Sequence, residues 1–358
     1  MSSRPSAAAS IYSIQYLRAI AALAVLVDHA LNIPVNNQLS VLINFGRLGV
    51  EVFFVISGFI ITVIGGAGPF NPITFLRRRI ERIVPIYWAA TFVVTIAALL
   101  LPNLFKTTVV TWEGLIKSLV FIPSEVPKAP LLTLGWTLNF EAFFYVAFAF
   151  LFFLSSERRT LVLCGVLGLM VLFGQIADPQ NAVLKVYTSP SLIGFCAGAL
   201  LAQAWRHGLI QRMGALGRWA TSVAGILLSA WYLTAPATSE LPIGTHFVLT
   251  GAGLSIVMLG LQVEAAGLMP KFAPLKLLGD ASYSIYLFHY FAVGLLWAVM
   301  KSAAASSALV FGLGVILTLA AGIAAGLAVY FLLEKPMMTM FQRRRHGLAA
   351  SVAPRTAV

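Results

Sequence analysis

Apolar stretches of about 20 residues, the length a helix needs to cross the hydrocarbon core of a bilayer, recur about ten times along this chain. They fall at 14–33, 46–65, 84–102, 136–155, 160–177, 187–205, 218–235, 246–263, 277–300 and 308–333. The connections between them are short, so they predict an all-α, polytopic integral membrane bundle rather than a string of domains. One longer connection, 103–135, carries Trp112, Pro123, Pro127 and Pro130 and is expected to lie on the membrane surface or dip into it.

Charge supports the same reading. Only 10% of the residues are charged and mean hydropathy is +0.91, whereas a soluble domain carries about 25% charged residues. Such a chain cannot cover a water-facing surface, and the lipid bilayer is its first partner. On a soluble protein a net charge of +12 would point to nucleic acid. Here the basic residues are distributed by side, and no nucleic-acid partner is expected. With the N-terminus cytoplasmic, 18 of the 24 Lys and Arg fall on the inner side and six on the outer. That bias predicts a multi-pass protein of a bacterial inner membrane with both termini cytoplasmic. The first apolar run is too long for a cleavable signal and lacks a small-residue cleavage site. Cys164 and Cys196 both lie in apolar runs and read as packing residues. No metal-ligand spacing is present, so neither a metal nor a permanently bound cofactor is expected. The chain divides into a transmembrane domain over 1–340 and a basic tail over 341–358, expected to be disordered.

Ionisable residues inside apolar spans are costly to bury and point to function by default. In the first span Arg18 and His29 are separated by eleven residues, about 16.5 Å and three helical turns, which puts both on one face. Snorkelling of Arg18 and an interfacial His29 would fit the same spacing. Glu51 and Glu141 stand near the outer ends of the second and fourth spans. Converging with His29, they would make a general base and its orienting carboxylate, a pair able to deprotonate a sugar hydroxyl. The plainer reading pairs each with a nearby cation such as Arg47. The segment FLRRRIERIVPIYW crowds Arg77, Arg78, Arg79 and Arg82 at the inner face. Arg79 and Arg82, at i and i+3, share a helix face and suit a ligand with several phosphates. An ordinary positive-inside signal would need basic residues but no such spacing. His289 lies in the middle of the ninth span, where it would line an acceptor path or bond a neighbouring helix. Asp280 is read as a cap for that span, and Glu334 as a brace for the basic segment.

These motifs, in this order, resemble the membrane acyltransferase-3 family, particularly its exopolysaccharide O-acetyltransferase branch. Arg18 and His29 fit the family's Arg-x10-His signature, and GVEVFFVISGFII resembles the segment after it, with Glu51 where Asp is more usual. Arg79 and Arg82 fit its Arg-x-x-Arg, followed by Pro85, Tyr87 and Trp88. GWTLNFEAFFY places Trp136 and Glu141 in a Trp-x-Leu-x-x-Glu segment, LLGDASYSIYLFH ends on His289, and EKP closes the last span. The similarity covers roughly 12–340.

The resemblance implies an acyl-CoA donor, usually acetyl-CoA, and an extracytoplasmic carbohydrate acceptor. It carries over to Arg18, Arg79 and Arg82, and with the spacing of the basic segment a phosphate-rich donor is expected to dock at Arg78, Arg79 and Arg82, near Arg18. His29, with Glu51 or Glu141, is assigned to catalysis, and Trp136, Tyr87 and His289 to the acceptor or to support. An appended esterase-like domain, found in some members, is not expected. The main alternative is a transporter or flippase of lipid-linked saccharides, which needs buried charges but neither the Arg18–His29 register nor the clustered arginines. A structural component of a polysaccharide assembly would tolerate loss of His29. Small residues such as AGIAAGLA suit packing within the bundle or between copies of the chain, so a homo-oligomer stays open.

Overall fold

The computed structural model describes residues 11–32, 45–66, 68–102, 108–124, 130–234 and 241–352, the last including short stretches, 301–306 and 346–352, of backbone alone. Among these residues the regular structure is helical throughout. The helices in chain order are α1 (Tyr12–Asn32), α2 (Phe45–Gly65), α3 (Pro72–Leu100), α4 (Trp112–Leu119) and α5 (Trp136–Phe150). They continue with α6 (Ser156–Ala177), α7 (Ala182–Tyr187), α8 (Leu192–Arg206), α9 (Ala215–Thr234) and α10 (Ile243–Ala265). α11 (Ala273–Asp280), α12 (Ser282–Ser306) and α13 (Ala308–Val329) follow, then a π turn over Tyr330–Glu334 and α14 (Lys335–Val352).

Among the described residues eight helical stretches are long and apolar enough to cross a membrane, and the chain is a multi-pass helical bundle. Helices also stand where the other two spans were predicted, but they fall short on different grounds. α5 has 15 residues, about 22 Å of helix against a core of about 30 Å. α9 is long enough at 20 residues, but its Arg218, Ser, Thr and Gly dilute its apolarity. Of the long connection over 103–135, the short helix α4 is described, whereas 103–107 and 125–129, with Pro127, lie outside the described residues.

Three boundaries differ from expectation. α3 begins twelve residues before the predicted span at 84, because Asn71 caps it (Thr74 N donates to Asn71 Oδ1, 2.8 Å) and Pro72 preorganises its first turn. The basic segment is therefore helix, continuous with the apolar part. The span predicted at 277–300 is two helices meeting at Ala281. Asp280 does not cap α12; it ends α11, where Lys276 Nζ donates to it at 2.7 Å, one turn away. Within the segment expected to be a disordered tail, 341–352 continues α14. Arg, Leu and Ala are good helix formers, and the last turn of the bundle supplies the nucleus. Residues 353–358 lie outside the described ones.

Packing at the centre depends on glycine. On α8, Gly194 and Gly198 are spaced i, i+4 and face α2. A Cβ on Gly198 would collide with the Val55 carbonyl oxygen, and one on Gly58 of α2 with that of Phe195. The two backbones thus approach directly, as small-xxx-small faces allow. α1 lies along the other side of α2, where Gly49 meets Ala21. Arg159, only 3% exposed, anchors the end of this layer. It donates to the carbonyls of Gly65, Leu151, Phe152 and Leu154, and its guanidinium sits 3.9 Å from the Phe70 ring centroid. It satisfies helix-end carbonyls of both α2 and α5, which would otherwise be orphaned.

Candidate active site

A cavity opens between α1, α2, α3, α5 and α12, and its wall on α2 runs from Val50 to Ile61. The space in it that water-sized molecules can occupy is about 100 Å³. Arg18 of α1 and Arg79 and Arg82 of α3 all line it. Arg18 is 8% exposed, with Nη1 donating to Gln15 Oε1 at 3.4 Å. The Arg79 guanidinium lies 5.7 Å from the Phe75 ring and 5.9 Å from that of Tyr145, a placement the ring quadrupoles favour. Its Nε is buried without a hydrogen-bond partner, as is Ser282 Oγ in the same lining. Buried donors left open in a concave site fit a ligand rich in acceptor oxygens. Arg78, expected to join them, is exposed on the far side of α3 and is not part of the lining.

Glu141 lies in this cavity, among the arginines. Ser57 Oγ donates to its Oε1 at 3.1 Å, and the Tyr145 hydroxyl donates a short bond to the same oxygen. Ser57 is six residues beyond Glu51 on α2, about 9 Å along the axis, so the two carboxylates stand at different levels. Glu51 is 3% exposed and accepts from Thr250 Oγ1 of α10 at 2.6 Å. Its side chain runs between Gly194 and Gly253, where a Cβ would come within 2.5 Å of Glu51 Oε1 and 3.2 Å of Glu51 Cγ respectively. The expected convergence of both carboxylates on His29 is therefore corrected, because Glu51 is held by a hydroxyl of α10 and Glu141 by hydroxyls of α2 and of its own helix. Glu81 meets the basic segment directly, accepting from Arg77 Nε at 2.8 Å and lying 3.6 Å from Arg345 Nη2. Glu334 is buried, accepts from Ser284 Oγ at 2.5 Å, and stands close enough to Arg82 and Arg18 for both charges to act on its carboxylate.

His29 has a different partner. Its Nδ1 is 2.9 Å from Nε2 of His289, and His289 Nδ1 is 2.9 Å from the Ile285 carbonyl oxygen. The Tyr290 ring meets His29 edge-on at 5.4 Å. Neither histidine lines the cavity. Tyr286, which does, stands 6.3 Å from His289 between ring centroids, and its hydroxyl is held by Thr137 Oγ1 (3.0 Å) and the Leu134 carbonyl (3.2 Å).

A second, larger cleft lies across α2. Val50 and Phe54 line both it and the cavity. The cleft also presents Trp136, Glu51, Gln175, Asp178, Lys185 and His246. Trp136 is 37% exposed and packs edge-on against Phe54 and Phe140. Tyr87 belongs to neither space. It is fully buried, stacked on Phe121 at 4.8 Å, with its hydroxyl where a side chain on Gly135 would stand, and its role is packing. Ser57, Tyr145, Thr250 and Tyr286 were not singled out by sequence. Of these, Tyr145 alone carries a local sign, its position four residues after Glu141.

An all-helical membrane bundle with an arginine-lined cavity near a hydrogen-bonded histidine pair is a frame suited to acyl transfer, and the chain's relatives agree. The chain belongs to the family described as acyltransferase domain, whose model matches residues 11–333. It is 37% identical over 322 residues to the exopolysaccharide production protein ExoZ of Rhizobium meliloti (strain 1021), covering 87% of this chain and 95% of that one. It is 25% identical over 373 residues to the acyltransferase MdmB of Streptomyces mycarofaciens, covering 93% of each. With the O-acetyltransferase OatA of Staphylococcus aureus it shares 25% over 307 residues, 76% of this chain and 49% of OatA. No solved structure gives a significant match.

Proposed function

We propose that the protein moves an acyl group, acetyl by preference, from a coenzyme A thioester to a sugar hydroxyl of an exopolysaccharide or its lipid-linked precursor. The observation that carries this reading is the meeting of Arg18, Arg79 and Arg82 in one cavity, with Arg79 Nε unpartnered. Guanidiniums are forks for phosphate oxygens, and the donor's nucleotide end is the phosphate-rich part of the substrate pair. The names of ExoZ and OatA favour a polysaccharide acceptor and an acetyl group.

In this reading the arginine end opens to the cytoplasm, in accord with the basic bias of that side, both termini are cytoplasmic, and the bilayer is the inner membrane. The acyl-bearing arm lies along α2 toward Val50 and Tyr286. The polar, tryptophan-bearing cleft beyond Phe54 takes the carbohydrate. His29 accepts the proton of the sugar hydroxyl as its oxygen attacks the thioester carbonyl. The carbon–sulfur bond breaks, the new carbon–oxygen bond forms, and the proton passes to the departing thiolate. Holding the two substrates on either side of one helix lowers the entropic part of the barrier. His29 lines neither space, so Tyr286 must swing aside for the thioester and the sugar hydroxyl must pass Val50, which both spaces share, for the two to meet at His29.

The test is the O-acyl content of surface polysaccharide in a deletion strain complemented with the wild-type gene or with His29→Ala, at matched membrane levels. Acetyl restored by the wild type alone supports the reading. Acetyl restored equally by both removes His29 from the chemistry, and no dependence on the gene removes the acetyltransferase.

A further inference from the structure

The geometry points to His289 as the positioning residue of the site: we propose that it fixes His29 in the tautomer whose Nε2 is free to take a proton. The Ile285 carbonyl oxygen can only accept, so His289 Nδ1, 2.9 Å from it, carries the hydrogen. In neutral His289 the Nε2 is then bare, and it faces His29 Nδ1 at 2.9 Å. One hydrogen must lie between those two nitrogens, and only His29 can supply it. His29 is therefore protonated on Nδ1, and its Nε2 holds a lone pair.

The arrangement takes the part that a carboxylate takes in a Ser-His-Asp site, here with a neutral partner. When His29 takes up a proton at Nε2, its Nδ1–H continues to donate to His289, so no rearrangement accompanies the step. The ring orientation is fixed from several sides. His289 is fully buried and lies nearly coplanar with His29, the ring centroids 5.2 Å apart and 14° between planes. On α13, Gly322 leaves the room required: a Cβ there would come within 3.2 Å of His289 Cβ and 2.8 Å of Leu26 Cδ1. Glu51 and Glu141, bonded elsewhere, are not competing partners.

The proposal rests on the acyltransferase reading for its chemistry but not for its tautomer, and the experiment keeps the two apart. Full-length protein labelled with ¹⁵N-histidine in lipid bilayers would be read by solid-state NMR, with His29→Gln used to assign the His29 signals among the five histidines. The expected result is a non-protonated Nε2 and protonated Nδ1 for His29 in the wild type, with a loss of that preference in His289→Leu. Acetyl transfer by the same preparations should fall by roughly a hundredfold or more in kcat for His289→Leu, with the KM for acetyl-CoA unchanged. His289→Gln, whose Oε1 can accept from His29 Nδ1, should recover at least part of it. A wild-type His29 protonated on Nε2 would overturn the proposal, as would wild-type kcat in a properly inserted His289→Leu. If the wild type transfers no acetyl at all, the functional reading fails while the tautomer is still read from the spectra.

Discussion

Phe54 and Phe195 stack with ring centroids 4.6 Å apart and 27° between their planes. The ring that walls the cavity on one side and the cleft on the other is thus held from behind by α8, and Trp136 closes on its edge at 6.3 Å. In the proposed reading, a partition fixed in this way keeps the acceptor side's water from the thioester. Phe54→Ala is expected to release CoA from acetyl-CoA without acceptor, while transfer to polysaccharide declines. Free thiol measured against O-acetyl formed gives the ratio, which stays near the wild-type value for Phe54→Leu. The truncation also costs about 3–5 kcal/mol of stability, so both variants are compared below their unfolding temperature.

Donor binding should follow the cavity lining rather than the basic segment as a whole. Losing a charged hydrogen bond costs about 1.5–3 kcal/mol, a tenfold or greater rise in Kd for acetyl-CoA in Arg79→Ala or Arg82→Ala. Arg79→Lys should recover only part, since an ammonium cannot replace the planar fork. Arg78→Ala, on the exposed face of α3, should bind acetyl-CoA as the wild type does. Calorimetric titration of the four purified variants checks each.

Glu141 tests the corrected geometry. Glu141→Gln keeps an oxygen for Ser57 and Tyr145 while removing a negative charge from among three guanidiniums. Acetyl-CoA should then bind more tightly, by up to about tenfold, with kcat little changed. A fall in kcat of several orders of magnitude would instead return Glu141 to His29.

The contact of α2 with α8 sets a structural prediction. Gly198→Ala places a methyl group against the Val55 carbonyl, and the backbones must part at a cost of about 1–3 kcal/mol. Thermal unfolding in detergent should show a lowered midpoint. The control is Gly168→Ala on α6, where the added methyl group meets nothing nearby and the midpoint should not fall.

The arginines were legible from sequence because charge inside an apolar chain is conspicuous and Arg79 and Arg82 share a face by local spacing alone. The bundle was legible for the same reason, down to most of its spans. The depth of Glu141 was not. The start of α5 is set by the turn at Thr133–Gly135, inside the bundle, and counting from a presumed membrane edge put the carboxylate at the wrong level. The bond between His29 and His289 joins residues 260 apart, and no periodicity reports a contact between distant helices. Gly322 and Gly198 look alike in sequence to glycines that meet nothing, such as Gly165 and Gly168, and packing alone tells them apart.

Arg159 stands beside an apolar span, where basic residues bias orientation, and as the donor to four carbonyls it is also a rivet between α2 and α5. Arg206, which donates to the Gly66 carbonyl and to Ser156, has the same double duty. Neutralising either would scramble orientation and assembly together, so the sidedness of this protein can be mapped cleanly only through arginines without a structural post, of which the exposed Arg78 is the natural first choice.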